Sequence, residues 1–297
     1  KVHSIKLSSD GKMNIDKNIE QRETAVNVFE NNEQNDARDR ESVSLARQGN
    51  RAALEELVTR HQPWIYNIAF RMTGSRPDAE DVTQEIIIKV ITNLSRFRGE
   101  SKFRTWLYRI VANHVINMKK KRREVLFSSF EKQSEMIDNT PDMDLPDPKS
   151  VPVGIDLLVE EAKIACLSGM LLCLDRVQRL VVILGEIMGI DSTVGSEVME
   201  ITPANLRQKL SRPRKQVHNF MNNKCGLIDE KNPCMCTRKT RAMVEAGYID
   251  PNNLQSEKQR VAKINSLVKD KYHHNLSPLG NKCHDILRGL HMQEPGK

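Results

Sequence analysis

From Asp39 to about Arg123, and again from Leu157 to about Met221, apolar residues recur every three or four positions. No stretch holds the period of two that a half-buried strand requires. That periodicity commits the chain to helices, and the predicted fold class is all-α. Only 38% of the 297 residues are hydrophobic and 29% are charged, which is too little apolar surface for one large core. The expectation is therefore two small helical domains joined by an acidic, Pro-containing linker.

Residues 1–38 are polar and without sustained period, so they are read as disordered. The first domain, 39–128, begins with a short helix around Glu41–Gln48 that ends at Gly49. A second helix runs from Arg51 to Met72, buries Leu54, Leu57, Val58, Ile65, Ile68 and Ala69, and stops at Gly74. Ser75 and Pro77 open a third, with Val82, Ile86 and Val90 on one face. A fourth is expected from near Ser101 to Arg123. Residues 129–156 break the pattern: Glu131 to Gly154 holds four prolines and six acids against two lysines, and reads as a linker. A second helical domain spans 157–222, a cysteine-bearing extension 223–250 and a polar helical tail 251–297.

The formal charge of +7 is unevenly spread. Between Phe97 and Arg123 stand nine Lys/Arg against the single acid Glu100, with Phe97, Phe103, Trp106 and Tyr108 among them. Placed on a helix, Phe103, Trp106, Leu107, Ile110, Val111, His114 and Met118 fall on a core face. Lys102, Arg104, Thr105, Tyr108, Arg109, Asn113, Asn117 and Lys119 are left outside. Cations, amides and an exposed phenol can hold a phosphate backbone and stack on unpaired bases, which is the chemistry of single-strand binding. A plainer account also fits: rings in the core, and Lys119–Arg123 at a helix end where cations complement the macrodipole.

Residues Asp78–Glu124, "DAEDVTQEIIIKVITNLSRFRGESKFRTWLYRIVANHVINMKKKRRE", resemble region 2 of the bacterial sigma-70 family in its extracytoplasmic-function group, with the likeness reaching back to about Ser42. The resemblance implies that Asp78, Asp81, Gln84 and Glu85 dock on core RNA polymerase. It also implies that Arg98, Lys102, Arg104, Tyr108, Arg109, Asn113 and Asn117 capture the melted −10 element, where extruding a base costs a few kcal/mol that a pocket and stacking offset.

Leu174–Met221 can be read as a helix-turn-helix. Val177, Leu180, Val181 and Leu184 mark a buried helix, Val194 and Val198 a positioning helix, and Glu200–Ile201 the turn. Thr202 is a candidate N-cap, with Pro203 opening the next helix. That helix offers Asn205, Arg207, Gln208, Lys209 and Arg212 to a major groove, while Leu206 and Leu210 pack inward. The segment resembles sigma region 4, which grips the duplex −35 element. It departs from the family pattern at Gly195, at Glu200 and at Pro213, and an interior proline predicts a helix that bends or ends near Arg212. The resemblance further implies that the acidic linker runs through the polymerase's exit channel.

Cys225, Cys234 and Cys236 lie within twelve residues, and with His218 they form a candidate metal set suited to zinc, though the C-x8-C-x-C spacing is not a standard finger. Three reduced thiols on a loop is the alternative. Cys166 and Cys173, seven apart, are read as core. No glycine-rich nucleotide loop, nucleophile elbow or paired catalytic carboxylates occur, so the chain is expected not to be an enzyme. With no secretory core and no run of ~18 apolar residues, it is expected in the cytoplasm without a membrane span. The leading reading is a sigma factor whose partners are core RNA polymerase, promoter DNA in duplex and single-stranded form, and a candidate anti-sigma factor. The alternatives are a metal- or redox-responsive sigma-like regulator and a plain helix-turn-helix regulator.

Overall fold

The computed structural model describes residues 33–146, 154–252 and Leu254. Residues 1–32 and nearly all of the predicted tail lie outside the described residues. Among the described residues the fold is helical throughout, with one isolated bridge between Cys225 and Cys234.

In chain order the helices are α1 (Glu33–Arg47), α2 (Arg51–Thr73), α3 (Arg76–Asn93), α4 (Phe103–Asn117), α5 (Arg122–Leu126) and α6 (Phe130–Asn139). Then come α7 (Ile155–Leu172), α8 (Arg176–Val182), α9 (Ser192–Met199), α10 (Pro203–Lys224) and α11 (Cys236–Glu245). Several begin where side chains satisfy orphan amides. Asn50, Asp175, Asp191 and Thr202 each accept from a backbone N–H of the first turn. The Thr202 cap and the Pro203 start fall where the sequence placed them. Gly74 ends α2 at φ +66°, a left-handed conformation open to glycine at no steric cost.

Four local expectations change. Residues 33–38, assigned by composition to a disordered segment, open α1. Tertiary ion pairs hold that helix: Asp36 stands 2.7 Å from Lys102 Nζ and 3.5 Å from Arg104 Nε, and Asp39 2.6 Å from Arg60 Nη1. Secondly, α4 does not run to Arg123. Five consecutive cations repel along a helix, and Glu124 instead accepts the Lys121 N–H at 2.9 Å to start α5. Thirdly, the expected linker contains α6, capped by Ser129, with Phe130 against Phe220 at 5.3 Å and Gln133 buried beside Gly169. Lastly, α10 continues through Pro213. The carbonyl that loses its partner belongs to exposed Lys209, where water can serve it.

Both helical groups contribute to one continuous core. Ile65, Met72, Ile86, Leu107, Tyr108 and Val115 of the first share it with Leu171, Val182, Ile183, Leu184 and Val198 of the second. Fully burying an aliphatic side chain stabilises by about 1.5–3 kcal/mol. Helix α4 lies in the middle, with α1, α2 and α3 on one side and α8 and α9 on the other. A smaller cluster, Leu158, Ala162 and Ile249, fixes the cysteine-bearing extension on α7.

Candidate nucleic-acid interface

The central position of α4 changes which of its residues can meet a ligand. Tyr108, expected on the outer face, is fully buried, its ring edge-on to His61 at 6.1 Å. Burial, and then the charge of Asp39, push its phenol well above the ordinary 10. Arg104 is buried beside Asp36, and Thr105 is buried against Glu197, its Oγ1 donating to Glu197 Oε2 at 3.3 Å. The outer-face assignment of Tyr108, Arg104 and Thr105 is therefore corrected, because α1 and α9 cover faces that a two-sided helix would leave open. Of the other candidates, Arg98, Lys102, Asn113 and Asn117 are exposed, with Lys102 paired to Asp36. Arg109 is half-buried: its Nε donates to the Glu197 carbonyl at 2.8 Å and lies 3.8 Å from Glu200 Oε1.

The open side of α4 faces α3 across a groove of about 940 Å³. Its walls carry Lys89, Asn93 and Arg96 from α3 and the turn after it, and Trp106, Asn113 and Asn117 from α4, with Lys119 and Lys121 at one end. The ring it presents is Trp106, which the sequence reading had placed in the core. Deep in the groove His114 Nδ1 is 2.7 Å from Lys89 Nζ, and Nε2 is 3.2 Å from Glu85 Oε2. Burial and the charge of Lys89 lower the imidazole's pKa below 6.5. The ring is thus neutral near pH 7, with Nδ1 accepting from Lys89. Lys89, Asn93 and Arg96, spaced i, i+4, i+7 after Glu85, were the overlooked sequence signal for this wall.

The four candidate docking residues of α3 fall on two stripes. Glu85 turns toward His114 of α4, and Asp78 toward the start of α5, 3.3 Å from Lys121 Nζ. Asp81 and Gln84 face solvent in line with Ile88, which is 60% exposed, and Ile91. An exposed apolar pair beside acids on a rigid helix suits a protein partner.

On the helix-turn-helix, Asn205, Arg207, Gln208, Lys209 and Arg212 all stand exposed along α10, and Leu206 is buried as expected. The departures noted in the sequence have local reasons. A Cβ on Gly195 would come within 2.8 Å of Leu206 Cδ2, so the missing side chain lets α9 and α10 approach closely. Glu200 occupies the turn at φ +55°, a conformation that costs a non-glycine residue roughly 1–2 kcal/mol. Beneath α10, buried Glu186 pairs with Arg214 Nε at 2.6 Å.

The cysteines are drawn together without forming an ion cage. Cys225 and Cys234 face each other across the bridge, and Cys166 of α7 joins Cys234 and Cys236 around a small apolar cavity. Among the described residues, no group of three or more His, Cys, Asp or Glu stands in an arrangement that could hold a metal ion. The proposed set of Cys225, Cys234, Cys236 and His218 is thus not assembled. Burial pushes Cys234 up to about 11 and Cys236 up to about 12, so the thiols stay protonated. Also among the described residues, no helix is long and apolar enough to cross a membrane.

Comparisons with known proteins agree with this layout. The Sigma-70 region 2 family model matches residues 57–125, which run from α2 to α5 and contain the groove. The chain is 27% identical over 180 residues to "ECF RNA polymerase sigma factor SigE" of Mycolicibacterium smegmatis, covering 58% of this chain and 64% of that protein. It is 33% identical over 81 residues to "ECF RNA polymerase sigma factor SigW" of Bacillus subtilis, covering 27% and 43%. With "ECF RNA polymerase sigma-E factor" of Haemophilus influenzae it shares 26% over 186 residues, 61% of this chain and 94% of that protein. The chain thus spans less than two thirds of the length of the first two relatives.

Proposed function

The chain belongs to the extracytoplasmic-function group of the sigma-70 family, and from that premise we propose that it is a sigma factor that binds core RNA polymerase and directs promoter opening. The observation that carries this reading is the α3–α4 groove. It combines a partly exposed indole, amides and cations on a folded wall, which suits an unpaired strand: phosphates on Lys89, Arg96 and Lys119, a base on Trp106. Asn113 and Asn117 line the same groove, exposed Arg98 is a further proposed contact of the unpaired strand, and the outer face of α10 would read duplex DNA with Asn205, Arg207, Gln208, Lys209 and Arg212. In this reading Asp81, Gln84, Ile88 and Ile91 dock on polymerase, and the chemistry of polymerisation belongs to that partner.

The test is transcription from promoter fragments by purified core polymerase with and without the chain. Promoter-specific transcript that disappears in a Trp106→Ala, Asn113→Ala variant supports the proposal. Promoter-DNA binding unaffected by polymerase, with no transcript, would replace it with a plain helix-turn-helix regulator.

A further inference from the structure

Helices α6, α7 and α11 surround a cavity of about 50 Å³ that the proposed function leaves unused. Met136 and Ile137 of α6, Ala162 and Ala165 of α7 and Met243 of α11 give it an apolar wall. The same wall carries a buried acceptor without a donor, on Gln133, and a cation without a paired anion, on Arg123. We propose that the cavity binds a short-chain hydroxy acid, with the hydroxyl held inside on Gln133 and the carboxylate at the mouth on Arg123.

Gln133 is the inner group. The residue is 3% exposed, and its Oε1 has no hydrogen-bond donor. Gly169 makes room for it, because a Cβ there would come within 2.8 Å of that oxygen. A buried acceptor without a donor is costly, and a ligand hydroxyl removes that cost.

Arg123 is the outer group. Its guanidinium lies over the Phe127 ring, 5.5 Å from the centroid. Asp78, the acid whose charge acts on it, pairs with Lys121 instead. Exposed Tyr248, which also acts on Arg123, marks the open side of the cavity. The other cation of the wall, Lys239, is already neutralised by Asp142 at 3.0 Å. Burial keeps Cys166, Cys234 and Cys236 protonated, so these thiols add no negative charge. The charge left uncompensated in this wall is that of Arg123, which suits a monoanion.

The volume limits the body of the ligand. Benzene fills an apolar cavity of about 150 Å³, so this smaller one takes a thin aliphatic chain and not a ring. Met136 and Met243 are unbranched and can adjust around such a chain. Bound there, the acid would bridge α5 and α6 beside the cysteine-bearing extension.

The probes are 4-hydroxybutyrate, butyrate and butan-1-ol, added to the full chain and followed by saturation-transfer NMR. The hydroxy acid is expected to bind about fivefold more tightly than butyrate and about tenfold more tightly than butan-1-ol. It should also slow alkylation of Cys166, Cys234 and Cys236 in the wild type, which places it in this cavity without any substitution. Gln133→Leu should erase the preference over butyrate, and Arg123→Met the preference over butan-1-ol. A lost stability alone does not produce that exchange of selectivities. Ala165→Leu, which fills the cavity, should abolish binding of all three probes. Equal affinity for the three in the wild type, or binding of none, overturns the proposal. Binding of 4-hydroxybutyrate that leaves the alkylation rates unchanged and survives in Ala165→Leu also overturns it, because the acid then sits elsewhere.

Discussion

Arg179 Nη1 stands 3.0 Å from Glu124 Oε1, across 55 residues of sequence, with both side chains buried. Burial alone would raise the Glu124 pKa. Hydrogen bonds from Arg176, from the Lys121 amide and from Arg179 outweigh it and hold the carboxyl at about 2, below its ordinary 4.5.

Glu124→Ala leaves two buried guanidinium groups without their anion and should cost about 3–5 kcal/mol, seen as a lower urea midpoint. The depressed pKa fixes the sign with pH. The stabilisation is fully present above about 4.5 and is lost as the carboxyl protonates toward about 2. Thermal melts taken through that window should show Tm falling with pH in the wild type and a shallower fall in Glu124→Gln.

Trp64 is buried and Trp106 lines the groove, and these are the only two tryptophans. Single-stranded oligonucleotide should therefore quench the fluorescence of Trp106 alone. Trp106→Ala should abolish the quench and weaken binding by about 1–3 kcal/mol. Quenching that survives in Trp106→Phe would place the strand elsewhere.

The close approach of α9 and α10 predicts opposite outcomes at neighbouring positions. Gly195→Ala forces Leu206 aside and should destabilise by about 1 kcal/mol, recovered when Leu206 is shortened to Val in the same chain. Glu200→Gly relieves the left-handed strain and should raise stability by up to about 1 kcal/mol. Both are read from chemical denaturation of the full chain.

Ile88→Glu changes a solvent-facing side chain and should leave stability within about 0.5 kcal/mol. Under the proposed docking on α3 it should sharply weaken capture by core polymerase in a pull-down. Undiminished capture would move the docking surface off this stripe.

Protonated, partly enclosed thiols should be slow to react. At mildly alkaline pH, native protein is expected to label at Cys166, Cys234 and Cys236 far more slowly than unfolded protein, and a zinc chelator should leave Tm unchanged. A chelator-induced drop in Tm would restore the metal reading.

The helices, the Thr202 cap, the Gly74 stop and the exposed reading face of α10 were legible because each depends on residues within a turn or two. What escaped was set at long range. Helical spacing assigns one buried face to α4, but that helix is covered from two sides, so Tyr108 and Arg104 turned inward and Trp106 became the ring at the groove. Nothing near Tyr108 in sequence announces that His61 of α2, some fifty positions earlier, packs against its ring. The same holds for α6, whose acidic, proline-flanked setting hid the Phe130 and Gln133 that dock it. The close placement of Cys166 with the later cysteines likewise depends on α7 meeting a distant extension.

Because one core and the Glu124 network run through both halves, the polypeptide joining α6 to α7 is not what keeps them together in the resting molecule. A chain severed there should still migrate as one particle, and separately produced halves should find each other in solution. In such a split protein cohesion becomes a concentration-dependent affinity. Any ligand that weakens it would appear as dissociation into two pieces.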